Sequence, residues 1–425
     1  MNKNKSYALP IAMMFALFFM IAFVTGLPAP FGVIVKNQFG ATDFMSTLGF
    51  FANFIAYAFM GIPAGILLER LGYKKTALLA VAVGFTGVGI QYISGQVGNF
   101  NVYIAGAFVS GFSMCMLNTV VNPMLNTLGG GGKKGNQLIQ TGGSLNSVAA
   151  TIVPVLVGYL MGAEASQRTI EKANPALFIA MGIFALVFIV LYIMEIPEPR
   201  QIGKAKVKNE HSPLAFRHFI LGAIAIFAYV GIEIGVPHFA NLFLTSETAN
   251  GGLAIDPTIA GSVVGTYWFL MLVGRLAGAS LGGKFSSKAM LITVSLLGIA
   301  FVLLAILLPV STTVSMPVFQ SSISFGFAQV PLGVMFLILC GLCTSVMWGG
   351  IFNLAVEGLG KYTEAASGIF MVMVCGGGIL PLIQGAIADH TSYIASYWVI
   401  FAALAYMLFY ALIGSKNVNK DIPVV

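Results

Sequence analysis

Charge is what this 425-residue chain has least of: 14 Asp and Glu with 21 Lys and Arg make 8% of the residues, against 58% apolar. A soluble surface carries roughly a quarter of its residues charged, so the scarcity excludes a water-soluble enzyme of this length. Cysteine is scarce as well, and four are too few for a disulfide-built secreted protein of this size. The 50 glycines have no fixed period and apolar residues dominate, which excludes collagen-like and disordered classes. What the chain does have is apolar runs of bilayer length, near 8–35, 46–68, 76–93, 102–128, 138–161, 176–194, 219–244, 259–281, 289–310, 330–356, 366–387 and 392–413. They predict an all-α polytopic membrane protein of twelve transmembrane helices. The first run is too long for the apolar stretch of a signal peptide and lacks a small-residue cleavage pattern.

The few basic residues set the orientation. With both termini cytoplasmic, the inner connections hold Arg70, Lys74, Lys75, Lys133, Lys134, Arg200, Arg217, Lys284, Lys288 and Lys361 among others, and the outer ones only Lys36, Arg168 and Lys172. The formal charge of +7 is therefore a topology signal, and no nucleic-acid partner is implied. The segment 195–217 mixes both charge signs and contains Pro197, Pro199 and Pro213, as a cytoplasmic linker would. It divides an N-terminal six-helix bundle, 1–194, from a C-terminal one, 218–425. The two are expected to be pseudo-symmetric. Gly65 to Lys75 after span two is echoed by Gly274 to Lys284 after span eight, and Pro154 with Gly158 in span five by Pro381 with Gly385 in span eleven. Matching Gly and Pro positions in two halves point to a transporter with its substrate site between them near the midplane.

The stretch Gly65-Ile-Leu-Leu-Glu69-Arg70-Leu-Gly72-Tyr-Lys74-Lys75 resembles the signature of the major facilitator superfamily. The resemblance implies that Gly65 lets spans two and eleven approach, and that Glu69 with Arg70 forms a cytoplasmic latch. A narrower set resembles the fucose permease family of sugar transporters: Asn118-Thr-Val-Val-Asn122-Pro123, Leu145-Asn146-Ser147, Glu233, Gly274-Arg275, Gly358-Leu-Gly360, and Gly376-Gly377-Gly378 through Pro381 and Gln384-Gly385 to Asp389. That likeness implies a functional monomer in a plasma membrane, here the inner membrane of a bacterium, moving a monosaccharide by alternating access with proton coupling. It carries sugar binding onto Asn146. It also exposes two departures: where that family has carboxylates in spans one and four, this chain has the Ala29 region and Asn118.

An ionisable side chain at bilayer depth costs on the order of 3 kcal/mol on insertion scales, so each one needs a reason. Glu233, mid-way along span seven, is the candidate for both sugar binding and ion coupling. Arg275, nearer the cytoplasmic end of span eight, differs from it in depth by residue count. Direct pairing is therefore not expected, and a gating role is. Asn118 and Asn146 fall at similar depth on adjacent spans and offer the amide chemistry that suits a neutral polyol. Trp268, Trp348, Asn353 and Gln384 complete the expected lining, since a sugar's C–H face stacks on indole. Trp398 suits an interfacial belt, and His238 is a further proton-handling candidate. Cys340 and Cys343 have metal spacing without a partner motif, so no metal is expected, and the basic glycine-rich turn after Gly129 lacks a phosphate-loop ending. No cofactor is implied beyond a coupling proton or sodium ion, with uncoupled facilitation left open. Export of a lipophilic compound on the same fold and a transport-like receptor are the alternatives to a sugar carrier.

Overall fold

In lipid, backbone N–H and C=O groups find no water, so an apolar run must satisfy them within itself as a helix. The computed structural model describes residues 7–27, 31, 34–35, 38, 40–128, 132–161, 170–198, 211–281, 285–320, 324–419 and 421–423. Among them the long helices are α1 Ala8–Gly26, α2 Leu48–Leu68, α3 Arg70–Val97, α4 Phe100–Leu128, α5 Gly132–Met161 and α6 Ile170–Ile193. After the linker come α7 Arg217–Thr245, α8 Pro257–Leu281, α9 Ser287–Leu307, α10 Leu332–Val356, α11 Gly368–His390 and α12 Tyr393–Gly414. Eleven of these are long and apolar enough to cross a membrane; the twelfth, α5, begins with the polar run Gly132-Lys-Lys-Gly-Asn-Gln.

Helices α1 to α6 pack among themselves and α7 to α12 among themselves, and the two sets meet chiefly along α2 with α11 and α5 with α8. The first seam is made of glycines. At Gly378 a Cβ would stand 2.7 Å from the Phe51 Cα, a separation side chains do not tolerate, so only glycine lets α11 lie this close to α2. Lower on the same seam it is Gly61, facing Val372, that permits the approach. Gly65 meets nothing within 4 Å, so the role expected for it falls one helical turn earlier. The signature locates the loop, while the helix crossing decides which glycine is used.

Helices α2 and α3 form one 50-residue element broken at Gly72, whose φ of 80° is open to glycine. The new helix start at this break is capped from a distance. Glu198, at the beginning of the linker, accepts hydrogen bonds from the Tyr73 and Lys74 amides at 2.9 and 3.1 Å, and the Lys74 ammonium donates to the Tyr192 and Met194 carbonyls at the end of α6. A carboxylate at a helix N-terminus and a cation at a C-terminus both complement the helix dipole. Glu198 and Lys74 thus tie the break between α2 and α3 to the end of α6. Arg70 is solvent-exposed, and the Glu69 side chain lies outside the described residues, as does Ala29.

The all-α expectation misses one element. Between α9 and α10 the strands β1 Thr313–Phe319 and β2 Phe325–Pro331 pair antiparallel, from Thr313 opposite Pro331 to Phe319 opposite Phe325. One face, with Met316, Val318, Ala328 and Val330, is buried against the protein, and the other is exposed. β1 lies beside α8, where the Phe319 amide donates to Thr266 Oγ1 at 2.9 Å and the Phe319 ring stacks on Phe269 at 5.7 Å.

Candidate functional site

A cavity of about 810 Å³ lies between the two sets of helices, with walls from α1, α2, α4 and α5 on one side and α7, α8, α10 and α11 on the other. Of the residues expected to line it, Asn118, Asn146, Glu233, Trp268, Trp348 and Asn353 do, and Arg275, expected at a gate, lines it as well. Gln384 does not: its side chain is fully buried against Gly235 of α7 and Ile400 of α12. Gly235 has no side chain, and the space this leaves on α7 is filled by the Gln384 amide, a packing between helices that counting residues along one helix does not reveal. His238 lines the cavity with its ring 4.6 Å from Phe50.

The cavity has a direction. It extends to Phe285, Ser287, Met290 and Asn353, near the α8–α9 connection. That face also carries the start of α7, where Asn419 Oδ1 accepts from the Arg217 amide and His218 bonds the Glu357 carbonyl. At the opposite end, Asp389 at the close of α11 accepts a 2.9 Å bond from the Phe44 amide, just ahead of α2, joining the two sets of helices there. Phe51 and Phe54 of α2 close against Gly377 and Gly378 below it. The cavity is therefore sealed away from the linker and open toward it.

Two charged side chains share its wall. Arg275 Nη2 stands 3.6 Å from Glu233 Oε1, each side chain 16% exposed, and Arg275 Nη1 donates to the Gly143 carbonyl at 2.8 Å and Ser147 Oγ at 2.6 Å on α5. The expectation that depth would keep them apart is wrong. α8 runs opposite to α7, and the long arginine stem extends inward along the cavity wall instead of out to the interface. Each charge offsets the other's desolvation, and the guanidinium's fixed fork lets it also bridge two helices from different halves. The Tyr229 hydroxyl sits beside this pair, and its ring lies 6.1 Å from that of Trp348.

On the facing wall the charges are replaced by amides. Asn118 Nδ2 donates to Tyr57 OH at 3.0 Å and to the Met114 carbonyl at 3.1 Å, and Asn146 Nδ2 donates to the Phe18 carbonyl at 3.2 Å. Backbone carbonyls only accept, so they fix which way each amide points. Asn118 thereby spends both of its amide N–H groups within its own bundle and keeps its carbonyl oxygen to offer, whereas Asn146 spends one and keeps a donor as well as an acceptor. Asn122 Nδ2 bonds the Asn118 carbonyl, one residue before the carbonyl that Pro123 leaves free.

Aromatic walls complete the site. Trp268 packs against Ala22, Ala149 and Ala150, three small residues that leave room for an indole, with Tyr267 edge-on at 5.2 Å. Trp348 follows an interruption in α10 between Thr344 and Met347, and α11 is interrupted between Met373 and Gly376. Ser345, Val346 and Val374, at these breaks, line the cavity, and interrupted helices are where transporters place polar backbone at depth. Sequence reasoning missed Tyr57, Ser147, Tyr229 and Ser345. The glycine pairs and triplets beside the breaks were the available signal for Ser345. Tyr57 and Tyr229 carried none beyond being hydroxyls in apolar runs.

Three comparisons bear on this arrangement. The family model described as Major Facilitator Superfamily matches residues 14–374. A glucose/galactose transporter of Brucella abortus biovar 1 (strain 9-941) is 30% identical over 423 residues, covering 98% of this chain and 96% of the relative. The L-fucose-proton symporter of Escherichia coli (strain K12) is 23% identical over 414 residues, covering 91% of this chain and 89% of the relative. Among solved structures, FucP in the outward conformation superposes with a TM-score of 0.68 at 19% identity, covering 97% of this chain and all of that one, which shows the fold.

Proposed function

From the premise that this chain belongs to the Major Facilitator Superfamily, we propose that it is a secondary transporter carrying a neutral monosaccharide, a hexose, deoxyhexose or N-acetylhexosamine, by alternating access. The observation that carries this reading is the polar inventory of the cavity. Two amides and two indoles line it, and the carboxylate and guanidinium neutralise one another. Hydroxyl groups suit the amides, a sugar's C–H face suits the indoles, and a net-charged substrate would leave one side of the ion pair uncompensated. The names of the relatives, a glucose/galactose transporter and an L-fucose-proton symporter, point the same way.

In the proposed mechanism the bundle 1–194 rocks against 218–425 across the linker 195–217. The protein lies in a plasma membrane, the inner membrane of a bacterium, with its basic face and both termini cytoplasmic. Its cavity is then inward-open, whereas the FucP structure is in the outward conformation. One fold with openings on opposite sides supports alternating access.

Coupling is assigned to Glu233 and to a proton. A guanidinium 3.6 Å from the carboxylate makes a poor neighbour for sodium, while protonation of Glu233 removes the charge that holds Arg275. Uncoupled facilitation is the second reading, favoured by Asn118 standing where the resembled family has a carboxylate. Uptake of a sugar panel into proteoliposomes, with and without a pH gradient or sodium, tests both. No transport of any sugar under any gradient sinks the carrier reading. Equilibration without accumulation selects the facilitator.

A further inference from the structure

The hairpin β1–β2 takes no part in the cavity, and its two long edges are treated differently. In an antiparallel pair, alternate residues exchange both backbone bonds and the residues between them turn theirs outward. The Gln320 amide bonds the Ser324 carbonyl and the Leu332 amide bonds the Thr312 carbonyl, which sets the phase. With the register of Thr313 opposite Pro331, the outward residues are Thr313, Ser315, Pro317 and Phe319 on β1 and Phe325, Phe327 and Gln329 on β2. The β1 edge is managed in its half nearer the tip. Pro317 has no N–H to offer, and the Phe319 amide is bonded to Thr266 of α8. The β2 edge has neither device. The amides of Phe325, Phe327 and Gln329 find no partner among the described residues, and the segment from Thr313 to Pro331 contains no charged side chain to discourage pairing.

The position of the hairpin makes that edge unusual. Thr266 is nine residues into α8, about 14 Å at 1.5 Å per residue, and Phe269 lies a further turn along. Trp268 and Arg275 of α8 face the cavity, whereas Thr266 and Phe269 carry the hairpin on the helix's outer side, beside the exposed Val273 and Leu276. The hairpin thus descends from the ends of α9 and α10 along the outer side of α8. Its exposed face changes from Thr313, Ser315 and Gln329 at the base to Pro317, Phe327 and Phe325 toward the tip. Alkyl chains offer a peptide edge no hydrogen bonds, and open sheet edges do not occur against lipid.

We propose that the β2 edge pairs with the β2 edge of a second copy of this chain, making a four-stranded antiparallel sheet across a two-fold axis. The edge is self-complementary. Centred on Phe327, the pairing sets Phe327 opposite Phe327 and Phe325 opposite Gln329, and all three outward amides on each strand gain carbonyl partners. Each protomer keeps its own complete cavity, so transport remains a property of the monomer.

The test is oxidative cross-linking in membranes of Phe327→Cys, with Ala328→Cys, whose side chain turns into its own protomer, as the control. The four native cysteines are buried. Residues opposite one another in a bonded pair have Cα atoms about 5.5 Å apart, within disulfide range. The expected result is a disulfide dimer from Phe327→Cys at least ten-fold above Ala328→Cys. Phe327→Pro, which deletes the central amide, should shift the mass of the purified protein from dimer to monomer while sugar uptake persists. A monomeric mass for the unaltered protein overturns the proposal, as does a spin label at position 327 that collides freely with oxygen in lipid or with a water-soluble relaxant. Those collisions would give the edge to the bilayer or to solvent, and neither result bears on the sugar-carrier reading.

Discussion

The two halves of the chain face each other across one cavity with different chemistry. The N-terminal wall offers Asn118, Asn122 and Asn146, neutral groups each anchored to its own bundle through Nδ2. The C-terminal wall offers Glu233 and Arg275, a charge pair that reaches across to Gly143 and Ser147. On the proposed reading the first wall recognises and the second responds to ions. A pseudo-symmetric fold therefore need not distribute its function symmetrically. The bonds from Arg275 to Gly143 and Ser147 of α5 join the responding wall to the element that carries Asn146.

Substitutions on the charged wall should have the largest effects. Arg275→Met leaves Glu233 buried without its counter-charge and should cost about 3 kcal/mol, read as a fall in the melting temperature of purified protein. The double variant with Glu233→Gln should recover most of it, and equal losses in the single and double variants would show that the pair is not coupled. Next in size, Glu233→Gln should abolish uphill accumulation while counterflow of the same sugar persists; undiminished accumulation would move coupling away from this residue. On the neutral wall, Asn146→Ala should weaken sugar affinity about ten-fold, the worth of one or two hydrogen bonds, with accumulation ratio unchanged. Smallest, Trp268→Leu or Trp348→Leu should raise KM several-fold with little change in maximal rate, in line with roughly 1 kcal/mol of aromatic contact. If Asn146→Ala abolished coupling instead of affinity, the division between walls would fail.

Much of the scaffold was legible because apolar runs of bilayer length have one backbone solution. The spans match the helices to within several residues at most ends, and of the seven residues expected at the cavity all but Gln384 line it. What stayed hidden depends on relations between helices. Arg275 and Glu233 were separated by counting along single axes, which ignores helix crossing and a long side chain. Gln384 was misplaced because it packs into the space that Gly235 leaves on α7, which its own helix's sequence does not show. The hairpin escaped for a different reason. Val314, Met316 and Val318 do alternate inward, but Pro317 and Phe319 between them are apolar too, so the period of two is masked. Glu198 was invisible as a cap because it is more than a hundred residues from Gly72, and no local pattern links them.

The orientation of the asparagine amides has a consequence for what kind of question the cavity asks of a sugar. With both N–H groups of Asn118 committed to Tyr57 and Met114, that amide can register only whether a substrate group gives up a hydrogen; Asn146, with one N–H on Phe18, can also donate, and Arg275 can only donate. Fluorine in place of a hydroxyl keeps size and polarity but cannot donate. Fluorinated sugars would then read the cavity like a ruler, with the poorest tolerance at the ring position that meets Asn118 and better tolerance at those that meet Asn146 or the guanidinium, so the pose of the ring could be traced without a bound structure.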